Sequence, residues 1–103
     1  MGDRANDRLV VFNLSDYSVS ALVPLGEGVF HSWADPYEEQ LWVTNDVDNT
    51  VSVVALSEKE VIATIPLAED LVAAGGKVHD VLLDPATDFA YVSVLESRST
   101  NRC

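Results

Sequence analysis

The sequence predicts an all-β fold built from repeated four-stranded sheets, and three observations support this. The segment Leu9-Val-Val-Phe-Asn-Leu-Ser-Asp-Tyr-Ser-Val-Ser-Ala-Leu-Val-Pro-Leu25 aligns without gaps onto Val51-Ser-Val-Val-Ala-Leu-Ser-Glu-Lys-Glu-Val-Ile-Ala-Thr-Ile-Pro-Leu67. The shift is 42 residues, Val11 onto Val53, and Leu14/Leu56, Ser15/Ser57, Val19/Val61, Ala21/Ala63, Pro24/Pro66 and Leu25/Leu67 are also identical. Short runs rich in Val, Ile, Thr, Trp and Tyr recur between clusters of turn-forming residues, as strands do. No stretch sustains a 3.6-residue apolar period over three turns, which disfavours a helical repeat.

Taken in order, the strand-like runs are 9–13, 19–23, 30–34, 41–45, 51–55, 61–65, 81–83 and 90–94. Ser15-Asp16 separates the first two, and Gly26-Glu27-Gly28 ends the second. Asp35-Pro36 closes the third, since proline cannot donate to a ladder. Asn45-Asp46-Val47-Asp48-Asn49 and Ser57-Glu58-Lys59 supply the next two turns, and Asp84-Pro85-Ala86-Thr87-Asp88 the last. Residues 68–78 read as a surface loop with one helical turn ahead of Gly75-Gly76. A second pairing sets His31-Ser-Trp-Ala-Asp35-Pro36 against His79-Asp-Val-Leu-Leu-Asp84-Pro85, then Leu41-Trp42-Val43-Thr44 against Ala90-Tyr91-Val92-Ser93. There the shift has grown to 49, Trp42 onto Tyr91.

A period near 42 falls in the window of roughly 40–45 residues for a four-stranded β-propeller blade. With strands lettered a to d from the propeller axis outward, the chain carries c-d, then a-b-c-d, then a-b. The expected organisation is an N-terminal tail (1–7), the second half of a blade (8–29), a complete blade (30–67), an inter-blade loop (68–78), the first half of the next blade (79–95) and a C-terminal tail (96–103). A propeller closes with about four blades or more, so a partial propeller is expected: a fragment of a larger one, a chain that closes a ring with copies of itself, or a chain that folds only marginally alone.

Composition narrows the partners. Seventeen acidic residues against six basic ones leave a formal net charge of −11, with cations scattered at Arg4, Arg8, Lys59, Lys77, Arg98 and Arg102. Nucleic-acid binding needs a basic footprint and is not expected. The longest apolar runs fall far short of the roughly 20 residues that span a bilayer, so membrane insertion is not expected either. The N-terminus lacks the apolar core of a signal peptide, which leaves the compartment unknown. Cys103 is the one cysteine, so there is no internal disulfide framework, and its place as last residue reads as a truncation point.

From Leu41 to Leu67, with Trp42-Val43-Thr44-Asn45, a polar turn, Val51-Ser52-Val53 and Ala63-Thr64-Ile65-Pro66, the chain resembles the YVTN family of β-propeller repeats. Tyr91-Val92-Ser93-Val94 departs from the naming tetrad at its last two positions. The resemblance extends from Leu9 to Leu95. It implies a propeller fold but no single function, because such repeats occur in surface-layer-like proteins, periplasmic propellers and the haem domain of some nitrite reductases. The family is often periplasmic or extracellular.

His31 and His79 are the candidate metal ligands. The repeat places them at equivalent positions just ahead of successive innermost strands, near one mouth of a central channel. Histidines from several blades resemble the copper-holding arrangement of nitrous oxide reductase propellers, and imidazole suits copper, zinc or iron. The plainer reading has each histidine bonding nearby backbone. The oxygen-rich run from Asn45 to Thr50 reads as the b–c turn, since Val51 and Ser57 stand where a calcium loop needs its glycine and glutamate. Trp33, Trp42, Tyr91 and Phe89 are the aromatic residues of a candidate sugar platform, but Trp42 and Tyr91, equivalent in the repeat, read as core packed between adjacent blades. The run Asp35-Pro-Tyr-Glu-Glu39 reads as a solvated turn, and Asn13-Leu-Ser15 matches a glycosylation sequon at a strand end. No nucleophile elbow, phosphate loop or His-Glu-x-x-His helix occurs, so no catalytic residue is assigned. The expected function is a non-enzymatic propeller module acting as a binding or structural scaffold, with a protein or small ligand as partner and no cofactor; a purely structural repeat of a surface protein is a further possibility. The alternative is part of a periplasmic redox enzyme holding a metal or haem in the channel.

Overall fold

The computed structural model describes residues 1–35, 37, 39–84 and 86–96. Pro36, Glu38, Pro85 and residues 97–103, with them most of the expected C-terminal tail and Cys103, lie outside the described residues. Among the described residues, three antiparallel sheets form. The first contains β1 (Gly2–Asp3), β2 (Arg8–Phe12) and β3 (Val19–Pro24). The second is a four-stranded meander of β4 (Val29–Asp35), β5 (Gln40–Asn45), β6 (Thr50–Ala55) and β7 (Glu60–Pro66). The third pairs β8 (Gly76–Asp84) with β9 (Phe89–Glu96). This is the expected all-β order of propeller-blade sheets, c-d, a-b-c-d and a-b.

Local chemistry sets the turns. Tyr17, Glu39, Asn49, Lys59 and Asp88 all have positive φ and stand at the ends of the hairpin turns, where a left-handed residue turns the chain back into a twisted strand. At Tyr17, Lys59 and Asp88 the backbone N–H closes the turn onto the carbonyl four residues earlier. The helical turn expected before Gly75-Gly76 is α1 (Glu69–Ala73).

Two elements differ from expectation. β8 starts at Gly76, five residues before the run at 81–83, because the two adjacent polar residues His79 and Asp80 break the alternation that marks a strand. Ahead of Arg8, β1 lies antiparallel on β2 with Gly2 opposite Leu9 and Asp3 opposite Arg8. The terminal amine donates to the Val10 carbonyl at 2.8 Å, and the Val10 N–H returns to the Met1 carbonyl at the same distance.

The core lies between the sheets. Leu9 and Val23 meet Val54, with Val11, Leu25, Leu41 and Val61 packed around them, joining the first sheet to the second. β8 packs across β4 and β5 and buries Val78, Val81 and Leu83. β6, lying inside the second sheet, is buried from Val51 to Ala55. Each fully buried valine of this kind contributes about 1.5–3 kcal/mol. Among the described residues, no helix is long and apolar enough to cross a membrane.

Candidate functional site at the start of the inner strands

Both inner strands, β4 and β8, carry a bulge near their beginning. The β4–β5 register shifts between Val29 and Ser32, and the β8–β9 register shifts between Val78 and Val81. The backbone N–H that leaves the ladder is caught by a hydroxyl from the neighbouring strand. His31 N–H donates to Thr44 Oγ1 at 3.0 Å, and Asp80 N–H donates to Ser93 Oγ at 3.1 Å.

This geometry corrects the equivalence of the two histidines. From Val29/Val78 to Asp35/Asp84 the two ladders keep one constant shift, which sets His31 against Asp80 and Phe30 against His79. Matching histidine to histidine inserted a one-residue gap that the hydrogen bonds do not allow. The candidates also stand inside β4 and β8 rather than ahead of them.

The two imidazoles nevertheless come together. Their ring centroids lie 5.3 Å apart, edge to face, and the Phe30 ring is 4.2 Å from His31 and 5.1 Å from His79. Arg4 reaches across from the 3-10 turn Arg4–Asn6 that joins β1 to β2, its guanidinium carbon 5.8 Å from the centre of the Phe30 ring. Thr44, fully buried, holds the cluster from beneath. Its oxygen accepts from His31 and lies 3.0 Å from the His79 carbonyl and 3.3 Å from the His31 carbonyl, and its single proton serves one of the two.

Beside this cluster is a groove of about 450 Å³, whose lining includes Arg4, Phe30, Val47, Lys77, His79 and Leu95. Arg4 is fixed through Nη1, which donates to the carbonyls of Gly28 and Val29 and pairs with Asp46 Oδ1 at 2.9 Å. The glycine loop that Arg4 grips is docked onto the β5–β6 turn. There Asp48 accepts the Glu27 N–H at 2.8 Å, and Asp46 donates its N–H to the Gly28 carbonyl. Gly28 has a φ of 86°, and a Cβ there would lie 2.5 Å from the Val47 nitrogen, so this approach requires glycine.

As a metal centre the pair is incomplete: among the described residues no group of three His, Cys, Asp or Glu side chains converges. Zinc and copper sites take three or four protein ligands. The Asn45–Thr50 run forms the turn between β5 and β6, with its side chains turned to structural tasks. Asn45, fully buried, donates from Nδ2 to Thr50 Oγ1 and Ser52 Oγ. Asn49 joins the second sheet to the third, donating to the Gly76 carbonyl at 3.2 Å and accepting the Val78 N–H at 3.0 Å.

Trp42 and Tyr91 occupy equivalent strand positions with unequal cover. Trp42 is half-buried against a groove it shares with Leu83 and Phe89, whereas Tyr91 is 52% exposed beside Trp33 and Leu82. The cause is the third sheet, which lies over Trp42. No sheet among the described residues lies over Tyr91. Charge is tuned elsewhere on the surface. Hydrogen bonds from Asn6 and then Arg8 hold the Asp3 carboxyl below the ordinary aspartate range, and the Ser18 N–H and hydroxyl do the same for Asp16.

Sequence reasoning missed Arg4, Thr44 and Asn49. The Thr44/Ser93 match in the repeat was a signal for one of them, while Arg4 had none.

No protein-family model matches the chain, and no curated protein matches it. Among solved structures it is similar to a chain of Kuenenia stuttgartiensis hydrazine synthase, with a TM-score of 0.73 and 20% sequence identity. The match covers 87% of this chain and 24% of that one, so the chain spans about a quarter of its neighbour's length. At this identity the likeness concerns the fold alone.

Proposed function

We propose that the chain is a non-enzymatic binding scaffold, a part of a YVTN-type propeller whose blades are rigid support and whose ligand-facing end is the start of the inner strands. The Trp42-Val43-Thr44-Asn45 strand favours that family, since its Thr and Asn are the residues with buried bonding roles. The observation that carries the binding role is the meeting of Arg4, Phe30, His31 and His79, drawn from the β1–β2 connection and the second and third sheets, beside one groove. Rigid elements positioning exposed polar and aromatic groups are the usual support for recognition.

The test is amide chemical-shift mapping of the chain against phenylacetate, phenylacetamide and benzylamine. Shifts clustered on Phe30, His31, Lys77 and His79 support the reading. Shifts clustered elsewhere, or none, overturn it.

A second reading, part of a redox enzyme, draws on the two imidazoles 5.3 Å apart and on a structural neighbour that is by name an enzyme. A further ligand would then come from outside the described residues. Titration with copper(II) decides it: a visible absorption band lost in His79→Ala supports the redox reading, and colourless, metal-free protein removes it for this chain.

A further inference from the structure

We propose that the groove beside His79 is a site for a small carboxylate carried on an apolar body, an aryl- or alkyl-carboxylate. The proposal rests on the reading that the start of the inner strands is the binding face, and it adds the chemical class of the ligand.

Charge is the first argument. In a chain with 17 acidic and 6 basic residues, a cation has many carboxylates to choose from. Of the four lysines and arginines among the described residues, Arg8 is paired with Asp3 and Lys59 stands in the distant β6–β7 turn. The other two, Arg4 and Lys77, line this groove together with His79; Arg4 is paired through Nη1 alone and Lys77 not at all among the described residues. The carboxylate in the lining, Asp46, is already matched to Arg4 at 2.9 Å. Nearby acids have other tasks: Asp7 accepts the Gly28 N–H, and Asp48 the Glu27 N–H.

Geometry is the second argument. All three bonds that hold Arg4 leave from Nη1, to two backbone carbonyls and one carboxylate. The guanidinium plane is therefore fixed while its other edge, Nε and Nη2, makes no hydrogen bond among the described residues. That edge presents two parallel N–H groups, the fork that takes a carboxylate side-on. A held guanidinium loses little freedom on binding, which is where preorganised sites gain their affinity.

The remainder of the groove sets the other half of the ligand. Phe30, Val47 and Leu95 line it and are each close to half exposed, an apolar wall beside the cations. At about 450 Å³ the groove lies within the range of small-ligand sites. A bare, strongly hydrated oxyanion would leave that wall wet, and an amine would meet the unpaired charge of Lys77 beside the Arg4–Asp46 pair. A carboxylate on a ring or short chain satisfies both halves.

The experiment is titration of the chain with phenylacetate, phenylacetamide, benzylamine and inorganic phosphate, followed by amide shifts and repeated on Lys77→Gln and Lys59→Gln. Lys77→Gln removes no hydrogen bond seen among the described residues, so the variant folds as the parent does. The expected result is phenylacetate binding at the groove, weakened about tenfold or more by Lys77→Gln as for loss of a charged hydrogen bond, and unchanged by Lys59→Gln. Equal binding of phenylacetamide at the same residues overturns the carboxylate class while leaving the binding face in place. Phosphate binding without phenylacetate also overturns it, in favour of a hydrated oxyanion. Silence from all four probes overturns both the class and the face.

Discussion

Replacing Asn49 tests the joint between the second and third sheets. Its carboxamide donates to the Gly76 carbonyl and accepts the Val78 N–H, and Asn49, Gly76 and Val78 are all buried. In Asn49→Ala both backbone groups lose their partner where water does not reach them, at about 1–3 kcal/mol each. The φ of 57° at this position adds about 1 kcal/mol for alanine. The loss should therefore total roughly 3–7 kcal/mol, a large share of the 5–15 kcal/mol that holds a typical domain. Asn49→Gly separates the two causes, because glycine adopts the left-handed conformation freely, and should lose roughly 2–6 kcal/mol. Urea denaturation followed by circular dichroism measures both. With a slope of about 1–2 kcal/mol per molar, the midpoint of Asn49→Gly should fall by at least about 1 M, and exchange of the Val78 amide should accelerate. An Asn49→Gly variant within about 0.5 kcal/mol of the parent, with Val78 still protected, would refute the assignment of this bridge.

Three further outcomes are expected. Thr44→Val keeps the shape of the fully buried side chain but removes the oxygen that His31 N–H needs, so it should cost about 1–3 kcal/mol and move the ring resonances of His31 and His79, whereas Thr44→Ser should preserve both. Asp3 has its pKa depressed in the folded state by Asn6 and Arg8, so its contribution is present above the unfolded pKa and disappears as pH falls through the folded one; amide protection of β1 should be lost in acid below the ordinary aspartate range, and Asp3→Asn should abolish that step. Tyr91, exposed with Trp33 and Leu82 on a face that the equivalent Trp42 position has covered, should promote self-association; light scattering after size exclusion should show a mass above that of the monomer, reduced in Tyr91→Glu.

The strands were legible because β-branched runs alternate with Asn, Asp, Ser, Gly and Pro, and each of the eight expected runs falls on a strand, with 9–13 overrunning β2 by Asn13. The start of β8 was not, since a bulge places two residues where the ladder expects one and so destroys the period of two on which strand reading depends. The histidine alignment failed for a different reason, since both ladders bulge at the same place and keep one shift. Identity drew His31 to His79, while the register aligns His31 with Asp80. The cluster itself was half visible: the two imidazoles were singled out, but Phe30, Arg4 and Lys77 were not, because their meeting depends on how three sheets stack. Asn49 read as a turn residue and is one, and nothing local signalled that its carboxamide would also reach the next sheet.

The bulges on β4 and β8 divide labour between strands. Hydroxyls on β5 and β9 close the gap in each ladder, so Phe30-His31 and His79-Asp80 are relieved of holding the sheets together and none of the four is buried. Each repeat thus offers two adjacent positions whose identity the blade tolerates, filled in one unit by a ring pair and in the next by an imidazole and an acid. In a repeat protein made this way, point substitution at the mouth changes the chemistry on display while the architecture is inherited intact, so specificity can diverge between descendants faster than shape.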